Sequence, residues 1–378
     1  MADIPRVVLT GGVSGGHTFP LIAVSRALTV LYPEGIEFLF IGSNSKGGFE
    51  SESMGEEGIP TRYVLTGKLR RYFSFQNFID PFKVPIGIIQ ALWHLFRFLP
   101  NAVFAKGGSA SVPVVIAAWL LRIPVLIHDS DAVAGRANRL LARFATRIAI
   151  AYPSAKKYFP EDKTALTGNP VRSEILSGNI ERAKSRFDLS SDKPTLLVIG
   201  GSQGAKALNE ATLRILPAAL KENVQILHQT GEESYKDILA SVSDQGIIPD
   251  GTSGYLPKPF FTADELADAL VFSTLVLSRA GAGSISELAA NKKAVILVPL
   301  ASAANNEQRM NAYDIAEIGG ALVLEEANLG EHILLRKIGE LLNDETLRKS
   351  MGEKLSVFYH PEAAANIALG LQDLMEKK

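Results

Sequence analysis

The sequence predicts an α/β protein of two Rossmann-like domains, each a doubly wound parallel sheet, facing each other across a cleft. The main evidence is two glycine-rich turns, at residues 11–17 (GGVSGGH) and 200–205 (GGSQGA), one in each half of the 378-residue chain. Each turn follows an apolar run typical of a strand and precedes a stretch with the apolar periodicity of a helix. A strand, a glycine turn and a helix in this order bring backbone N–H groups and a helix N-terminus against phosphate.

The composition is that of an ordinary globular protein. The chain is too long for one typical core and suits two domains, and it has 47% hydrophobic and 21% charged residues. Lys+Arg 39 against Asp+Glu 40 gives a net charge of −1, which argues against bulk nucleic-acid binding. The absence of cysteine excludes disulfides, thiolate metal sites and a cysteine nucleophile. We see no signal peptide and no apolar run of the roughly 18 residues that span a membrane, so we expect a cytoplasmic location.

Short apolar strands alternate with longer amphipathic helices, the pattern of parallel βαβ units. In the first half, the predicted strands are 7–10, 36–41, 102–105, 125–128 and 147–151, and the predicted helices are 20–31, 49–57, 85–98, 112–121 and 136–144. In the second half, the predicted strands are 195–199, 225–228, 275–277 and 294–298.

The best candidate for a linker is the segment 158–172, which contains Pro160, Gly168 and Pro170. The last helix, about 361–378, is expected to cross back to the first domain. We therefore predict an N-terminal domain of residues 1–165 plus 361–378 and a C-terminal domain of residues 166–360.

The first glycine turn leads to His17. A dinucleotide-binding domain needs an acidic residue at the end of its second strand, and this strand ends in Gly42-Ser43-Asn44 without one. No Gly-Lys-Ser/Thr follows the turn, so the sequence does not match a P-loop either. His17 is a candidate general base, because the ordinary pKa of imidazole lies near neutrality. A structural histidine at a helix N-terminus is the alternative.

Two further polar segments follow predicted strands of the first half. Residues 106–111 (KGGSAS) form another strand-to-helix turn, and His128-Asp129-Ser130-Asp131 ends the next strand. Polar residues just beyond strand carboxyl ends line the ligand crevice of an open α/β sheet. The two aspartates are a weak metal signal, and Asp131 is a candidate cap for the helix that begins near Gly135.

In the second half, residues 279–284 (RAGAGS) form a third informative turn, which opens the helix that carries Glu287. Gln308 follows the next strand, so both side chains belong to the same carboxyl edge of the sheet. A carboxylate there can bind a ribose diol bidentately, and an amide can reach a sugar hydroxyl. Taken alone, Glu287 would be an ordinary exposed helix residue.

In their order and spacing, these motifs resemble the MurG family, the UDP-N-acetylglucosamine:N-acetylmuramyl-(pentapeptide) pyrophosphoryl-undecaprenol N-acetylglucosamine transferases of bacterial peptidoglycan synthesis. The matching segments are 11–20, 67–71, 107–113, 128–138, 168–172, 200–205, 228–231, 278–287 and 308–312. The resemblance implies the glycosyltransferase B fold, with a C-terminal helix that returns to the first domain. It also implies an inverting transfer of N-acetylglucosamine from UDP-N-acetylglucosamine to the muramyl 4-hydroxyl of lipid I, which forms lipid II.

The resemblance also implies a role for each matching residue. Phe261 would contact uracil through its backbone, Glu287 would hold the ribose, and Gln308 would contact the N-acetylglucosamine. The implied donor contacts are Ser14, Gly15, Gly16, Arg172, Ser202, Gln203, Gly204, Phe261, Gly281, Ala282, Gly283, Ser284, Glu287 and Gln308. The implied acceptor contacts are Gly107, Gly108, Ser109, His128 and Asp131, with His17 as the base. Helix N-termini and Arg172 would neutralise the leaving UDP, so we expect no metal and no cofactor.

Three segments depart from the family pattern. The usual His-Glu-Gln-Asn is His128-Asp129-Ser130-Asp131, the usual aromatic after Gly107-Gly108 is Ser109, and the usual Asp-Asp-His before Gln308 is Asn305-Asn306-Glu307. Asp131 would repel an acceptor diphosphate unless a cation such as Lys106 compensates. A transferase with another lipid or sugar acceptor, a catalytically silent sugar-nucleotide-binding protein and a nucleotide-sugar epimerase therefore stay open.

Lipid I lies in the bilayer, so the resemblance implies a peripheral protein on the cytoplasmic face of the cell membrane. Lys68, Arg70 and Arg71 adjoin three aromatic residues, and residues 86–99 are apolar on more than one face. Basic and aromatic side chains beside an apolar helix suit an anionic membrane surface. The alternative is a buried helix with Trp93 in the core.

Overall fold

A computed structural model describes residues 4–12, 15–43, 48–67, 76–201, 204–301 and 303–377, without the side chains of residues 49, 76–82 and 304. The chain forms two compact units, Met1–Val171 with His360–Lys378, and Arg172–Tyr359. Each unit is a parallel sheet with helices packed on it, which confirms the predicted α/β class.

The strands of the first unit are β1 (Arg6–Thr10), β2 (Glu37–Ser43), β3 (Thr61–Val64), β4 (Ala102–Ala105), β5 (Val125–Asp129), β6 (Arg147–Ile150) and β7 (Thr164–Leu166). Those of the second are β8 (Thr195–Ile199), β9 (Gln225–Gln229), β10 (Tyr255–Lys258), β11 (Leu275–Arg279), β12 (Val295–Val298) and β13 (Leu322–Val323). Their orders are β3-β2-β1-β4-β5-β6-β7 and β10-β9-β8-β11-β12-β13, and the paired strands run parallel.

The helices connect these strands and cover the sheets. They are α1 (Gly15–Leu31), α2 (Phe49–Glu56), α3 (Gln76–Phe98), α4 (Ser111–Leu120), α5 (Arg136–Leu141), α6 (Ile180–Phe187), α7 (Lys206–Lys221), α8 (Glu232–Asp244), α9 (Ala263–Phe272), α10 (Ala282–Ala290), α11 (Glu307–Glu317), α12 (Glu331–Leu342), α13 (Glu345–Leu355) and α14 (Ala363–Glu376). Short 3₁₀ turns stand between several of them, including Ser173–Leu176 at the start of the second unit.

The first sheet is covered on both faces. On one face, α1, α2 and α14 share a core with alternate side chains of the central strands, such as Leu9 and Phe104. The buried residues of α14, including Ile367 and Leu371, recur at helical spacing, which fits an amphipathic helix that packs on one side. On the other face lie α3, α4 and α5, which contact one another in sequence.

The nine strands that the sequence predicted are the central ones, and the four that it missed are the edges. These edge strands are β3, β7, β10 and β13. An edge strand is paired on one side only and needs no continuous apolar run, so its sequence carries little signal. In β10, Pro257 would be out of place in a central strand but is tolerated at an edge.

The segment predicted as a linker is more ordered than expected. Its middle forms β7, and the first unit extends to Val171 instead of ending at residue 165. The C-terminal chain rejoins the first unit at His360, beside Gly168. Gly168 has φ +80°, and a Cβ there would lie 2.4 Å from the His360 side chain, so only glycine fits. The predicted return of the last helix to the first domain is confirmed, because α14 packs on α1.

Candidate active site

In both sheets the strand order reverses beside the first strand of the unit, between β1 and β4 and between β8 and β11. Ligands of open α/β sheets bind at such a switch point, beyond the carboxyl ends of the strands. Each of these four strands is followed by a glycine-rich turn, at residues 11–12, 107–108, 200–204 and 280–283. The glycine turns therefore emerge in pairs, one pair at each switch point.

His17 stands where the two turns of the first switch point meet. It is the third residue of α1, which begins at Gly15 and not at Pro20 as predicted; the proline marks the second turn of the helix. A Cβ on Gly12 would lie 2.8 Å from His17 Cδ2, so the imidazole packs directly on the glycine backbone. A Cβ on Gly108 would lie 3.8 Å from His17 Cε1 and 3.0 Å from the Gly12 Cα.

The surroundings of His17 keep its imidazole neutral. Burial is the main cause that lowers the pKa of His17 to about 4, and the positive charge of the Lys106 ammonium lowers it further. A hydrogen bond with the Lys106 backbone acts in the opposite direction. His17 Nδ1 is buried and has no hydrogen-bond partner among the described residues. A neutral imidazole has the protonation state that a general base requires.

Lys106, the residue after β4, places a buried cation beside this histidine. Its side chain is almost fully enclosed, and its ammonium donates to Ser130 Oγ, which in turn donates to Asn169 Oδ1 at 2.7 Å. Burial lowers the pKa of Lys106 to about 8, although the negative charges of Asp129 and Asp131 oppose this. The cation needed to compensate the charge of Asp131 is therefore in place.

The end of β5 holds two candidate site residues. The His128 side chain is completely buried, with Nε2 2.9 Å from the Gly168 carbonyl oxygen, and its contact with the acceptor stays a prediction. The start of α5 is bound by Asp129 and not by Asp131, because the Asp129 carboxylate accepts from the Gly135 N–H and from Asn138 Nδ2, both at 3.0 Å. The sequence could not separate the two aspartates, which are two positions apart. Asp131, which is partly exposed, stays a predicted acceptor contact.

Gly107, Gly108 and Ser109 also stay predicted acceptor contacts. Gly107 and Gly108 have φ of +90° and +83°, a region that favours glycine. A Cβ on Gly107 would lie 2.6 Å from Asn138 Oδ1, a buried oxygen with no hydrogen-bond partner among the described residues. The turn therefore has no room for a side chain at Gly107, and a buried acceptor lies beside it.

At the second switch point, the turn after β8 lies so close to the backbone after β9 that Gly204 has no room for a side chain. A Cβ on Gly204, at φ +75°, would lie 2.6 Å from the Thr230 carbonyl oxygen. Gln229, at the end of β9, donates from Nε2 to the Gly201 carbonyl at 3.0 Å and accepts the Phe261 N–H at 3.3 Å. This buried amide joins two segments that the donor was expected to contact. It was not predicted as a site residue, although it directly follows a predicted strand.

Phe261 stays a predicted backbone contact for uracil. Its ring is buried and packs edge-on against Phe187, with the ring centroids 6.1 Å apart. Since Gln229 takes its N–H, the Phe261 backbone is held in one position relative to the glycine turn.

The helix after β11 presents free N–H groups and a carboxylate. α10 begins at Ala282 after Gly281, and no side chain caps it, so the N–H groups of its first turn, which includes Gly283 and Ser284, are open to an anion. Glu287 lies in its second turn and is paired with Arg172, whose Nε and Nη2 lie 3.1 and 2.7 Å from Glu287 Oε1. Both side chains are largely enclosed, at 13% and 17% exposure.

Gln308 is held as a hydrogen-bond donor. Its Oε1 accepts the Leu300 N–H at 3.0 Å, so Nε2 is the group that can donate to a ligand. The residues before it, Asn305 and Asn306, have φ of +54° and +56°, a left-handed conformation that asparagine tolerates better than most residues. This conformation gives a local reason for the two asparagines that depart from the family pattern. Asn311 Nδ2 donates to the Ala280 carbonyl at 3.2 Å and so ties α11 to the start of α10.

Several predicted residues lie outside the described residues: Ser14, Ser202, Gln203 and the basic and aromatic segment 68–75. Gly15 and Gly16 open α1 directly before His17. Within the described part of the chain, no group of three or more His, Asp or Glu side chains is placed to hold a metal ion.

Replacing Gly12 by alanine is expected to displace the His17 ring. The new Cβ would lie 2.8 Å from His17 Cδ2, closer than real Cβ contacts. We expect turnover to fall about tenfold or more, because misplacement of a reacting group is costly, with little change in the dissociation constant for UDP. Gly339→Ala is the control, because nothing lies within 4 Å of its Cβ. Normal turnover in the Gly12 variant would show that the imidazole position does not matter.

Two doubly wound α/β units, each with glycine turns at its switch point, are the architecture of the glycosyltransferase B fold. The family model of the glycosyltransferase family 28 N-terminal domain matches residues 7–150, and that of the family 28 C-terminal domain matches residues 195–367. The chain therefore belongs to glycosyltransferase family 28.

Curated relatives match nearly the full chain. A UDP-N-acetylglucosamine--N-acetylmuramyl-(pentapeptide) pyrophosphoryl-undecaprenol N-acetylglucosamine transferase of Lachnospira eligens is 40% identical over 90% of this chain and 91% of its own. A transferase of the same name from Clostridium perfringens is 38% identical over 89% of this chain and 90% of its own.

Solved structures agree with this membership. The crystal structure of Acinetobacter baumannii MurG matches with a TM-score of 0.73 and 28% identity, covering 98% of this chain and 99% of that one. A UDP-GlcNAc 2-epimerase from Neisseria meningitidis, bound to UDP-GlcNAc, matches with a TM-score of 0.69 over 97% of this chain and 100% of that one. At 14% identity, the epimerase shares the fold alone.

Proposed function

We propose that the protein transfers N-acetylglucosamine from UDP-N-acetylglucosamine to the 4-hydroxyl of the N-acetylmuramyl residue of lipid I, the undecaprenyl-pyrophosphoryl acceptor, and so forms lipid II. The observation that carries this proposal is the second switch point. There Glu287, Arg172 and the uncapped start of α10 lie together in a chain 40% identical to transferases named for this reaction.

The second unit suits a nucleotide sugar as donor. The Glu287 carboxylate can accept hydrogen bonds from both hydroxyls of a ribose. The N–H groups of Ala282, Gly283 and Ser284 can bind a diphosphate. Gln308, whose Oε1 accepts the Leu300 N–H, can donate from Nε2 to a sugar oxygen. Arg172 adds the positive charge that stabilises the leaving UDP.

The first unit suits the acceptor. In the transfer, the acceptor 4-oxygen bonds to the anomeric carbon from the face opposite UDP, and the bond from that carbon to the diphosphate oxygen breaks. UDP leaves with the bonding electrons, and the acceptor proton passes to His17. The configuration at the anomeric carbon inverts, which gives a β-1,4 linkage. No step of this reaction calls on a metal or a cofactor.

The acceptor itself would strengthen the base. An imidazole with a pKa of about 4 is a weak base in the free protein. A diphosphate anion near His17 would raise that pKa and favour proton uptake. Lys106, a buried cation beside the same turns, is placed to attract that anion.

We also propose that α3 docks the protein on the cytoplasmic face of the cell membrane. Ala91 and Leu95 are buried, but Ile89, Trp93 and Phe96 are 66%, 58% and 65% exposed on the opposite side of the helix. The alternative of a core position for Trp93 is therefore wrong. The Arg97 guanidinium lies 5.9 Å from the Trp93 ring centroid, a basic and aromatic pair that suits a lipid headgroup layer. Among the described residues, no helix has the length and apolarity that a membrane span requires.

Replacing Trp93 and Phe96 together by glutamate should abolish this docking. We expect the affinity for vesicles containing anionic lipid, measured by sedimentation, to fall about tenfold or more, because an interfacial helix binds through its buried apolar area. Leu369→Glu is the control, since this residue is 49% exposed on α14, which covers the opposite face of the sheet. Binding of the double variant at the wild-type level would refute docking through α3.

The transfer itself is tested with UDP-N-acetylglucosamine labelled in its sugar and a short-chain lipid I analogue. The proposal predicts label in the acceptor product, with a β-1,4 linkage by NMR and one UDP released per transfer. Tight UDP binding without transfer would contradict the proposal. It would indicate a sugar-nucleotide-binding protein or a transferase with another acceptor. Conversion of the free donor to another UDP-sugar without any acceptor would indicate an epimerase.

A further inference from the structure

The ion pair between Arg172 and Glu287 occupies the carboxylate that the ribose is proposed to use. Arg172 donates from both Nε and Nη2 to the same oxygen, Glu287 Oε1. We propose that Arg172 is a selectivity residue, which blocks Glu287 against nucleosides without phosphate and is drawn away from it by the diphosphate of a nucleotide. This inference rests on the donor site proposed above.

The backbone on both sides of the pair is fixed, so the side chain is the part that can move. Asn291 Nδ2, at the end of α10, donates to the Glu287 carbonyl at 3.0 Å and to the Ile175 carbonyl at 3.3 Å. It thereby holds the segment after Arg172 against α10. The long Arg172 side chain can exchange one anion for another from this anchored position.

The spacing on α10 places the Glu287 carboxylate and a diphosphate at the helix N-terminus within reach of the Arg172 guanidinium. Glu287 is five residues beyond Ala282, so it lies about 7.5 Å along the axis from the first N–H of the helix. A diphosphate at that N-terminus and a ribose at Glu287 match the order of groups in a nucleoside diphosphate. Arg172, already at Glu287, needs only a side-chain movement to reach the phosphate.

Charge determines which ligands can make the exchange. A nucleoside brings a neutral diol, so it must break a largely enclosed ion pair and supplies no anion in exchange for Glu287. A nucleoside diphosphate brings a new anion for Arg172, with which a guanidinium forms strong bidentate hydrogen bonds. Recognition of ribose and recognition of phosphate are thereby coupled through one side chain.

Calorimetric titration of Arg172→Met with uridine and with UDP tests this coupling, because the two affinities should change in opposite directions. Typical coupling energies suggest that uridine binds about fivefold or more tightly than to the wild type, whereas UDP binds about fivefold or more weakly. Arg172→Gln, which is neutral and shorter than arginine, is the second variant, in case the methionine variant does not fold. The same opposite signs are expected for it.

A fall of both affinities by the same factor would overturn the inference, because Arg172 would then be a structural or simply additive contact. In that case wild-type UDP binding and the proposed donor site would survive. If the wild-type protein binds no UDP, the proposed donor site fails and this inference fails with it. Melting temperatures without ligand establish that each variant is folded before its titration is interpreted.

Discussion

Replacing His17 by alanine is expected to lower the turnover of sugar transfer by about 100-fold or more, the usual contribution of a positioned general base. The affinity for UDP should stay nearly unchanged, because Glu287, Arg172 and the start of α10, which are proposed to hold its ribose and diphosphate, belong to the second unit. Single-turnover transfer and UDP titration separate the two quantities. His332→Ala, an exposed histidine of α12, is the control and should transfer at the wild-type rate.

The pH dependence of the wild-type enzyme adds a second readout for the same residue. The base must be neutral to act, and the lowered pKa of His17, about 4, keeps it neutral to a lower pH than usual. We expect kcat/KM, which reports the free enzyme, to stay flat as the pH falls from 7 to about 5.5. An unshifted imidazole would lose half of its base form near pH 6.5. Near-normal turnover of the alanine variant, or an acid limb near pH 6.5, would count against this account of His17.

Replacing Glu287 by alanine is expected to weaken UDP binding roughly 10- to 100-fold, the loss typical when hydrogen bonds to a charged group are removed. Uridine binding should fall as well, because the variant removes the proposed ribose partner itself. Calorimetry at equilibrium gives both constants. Glu353→Ala is a matched control, since Glu353 also forms an ion pair in the second unit, with Lys292, but is 63% exposed. An unchanged dissociation constant in the Glu287 variant would remove this residue from the donor site.

The central strands of both sheets could be predicted from the sequence for a physical reason. Strands such as β1 and β8 are buried on both faces, so they appear as continuous apolar runs, and the glycine turns after them mark strand ends. Edge strands such as β7, with only Thr164, Ala165 and Leu166, have no such pattern. Their position depends on pairing with a neighbour, which the local sequence does not encode.

The candidate site was predictable in its residue types but not in its partners. Backbone turns and Glu287 could be placed from their position after predicted strands. The links that hold the site together join distant parts of the chain, as Gln229 does between Gly201 and Phe261. The burial of His128 and the pairing of Arg172 with Glu287 also depend on tertiary contacts. No pattern of local spacing could have revealed them.

The most direct measurement of the central claim is a crystal structure of the protein soaked with UDP-N-acetylglucosamine. The account predicts the ribose hydroxyls on the Glu287 carboxylate, the diphosphate on the N–H groups of Ala282–Ser284, and Arg172 turned from Glu287 towards the diphosphate. Density for the nucleotide at the His17 turn of the first unit, with Arg172 still paired to Glu287, would contradict it.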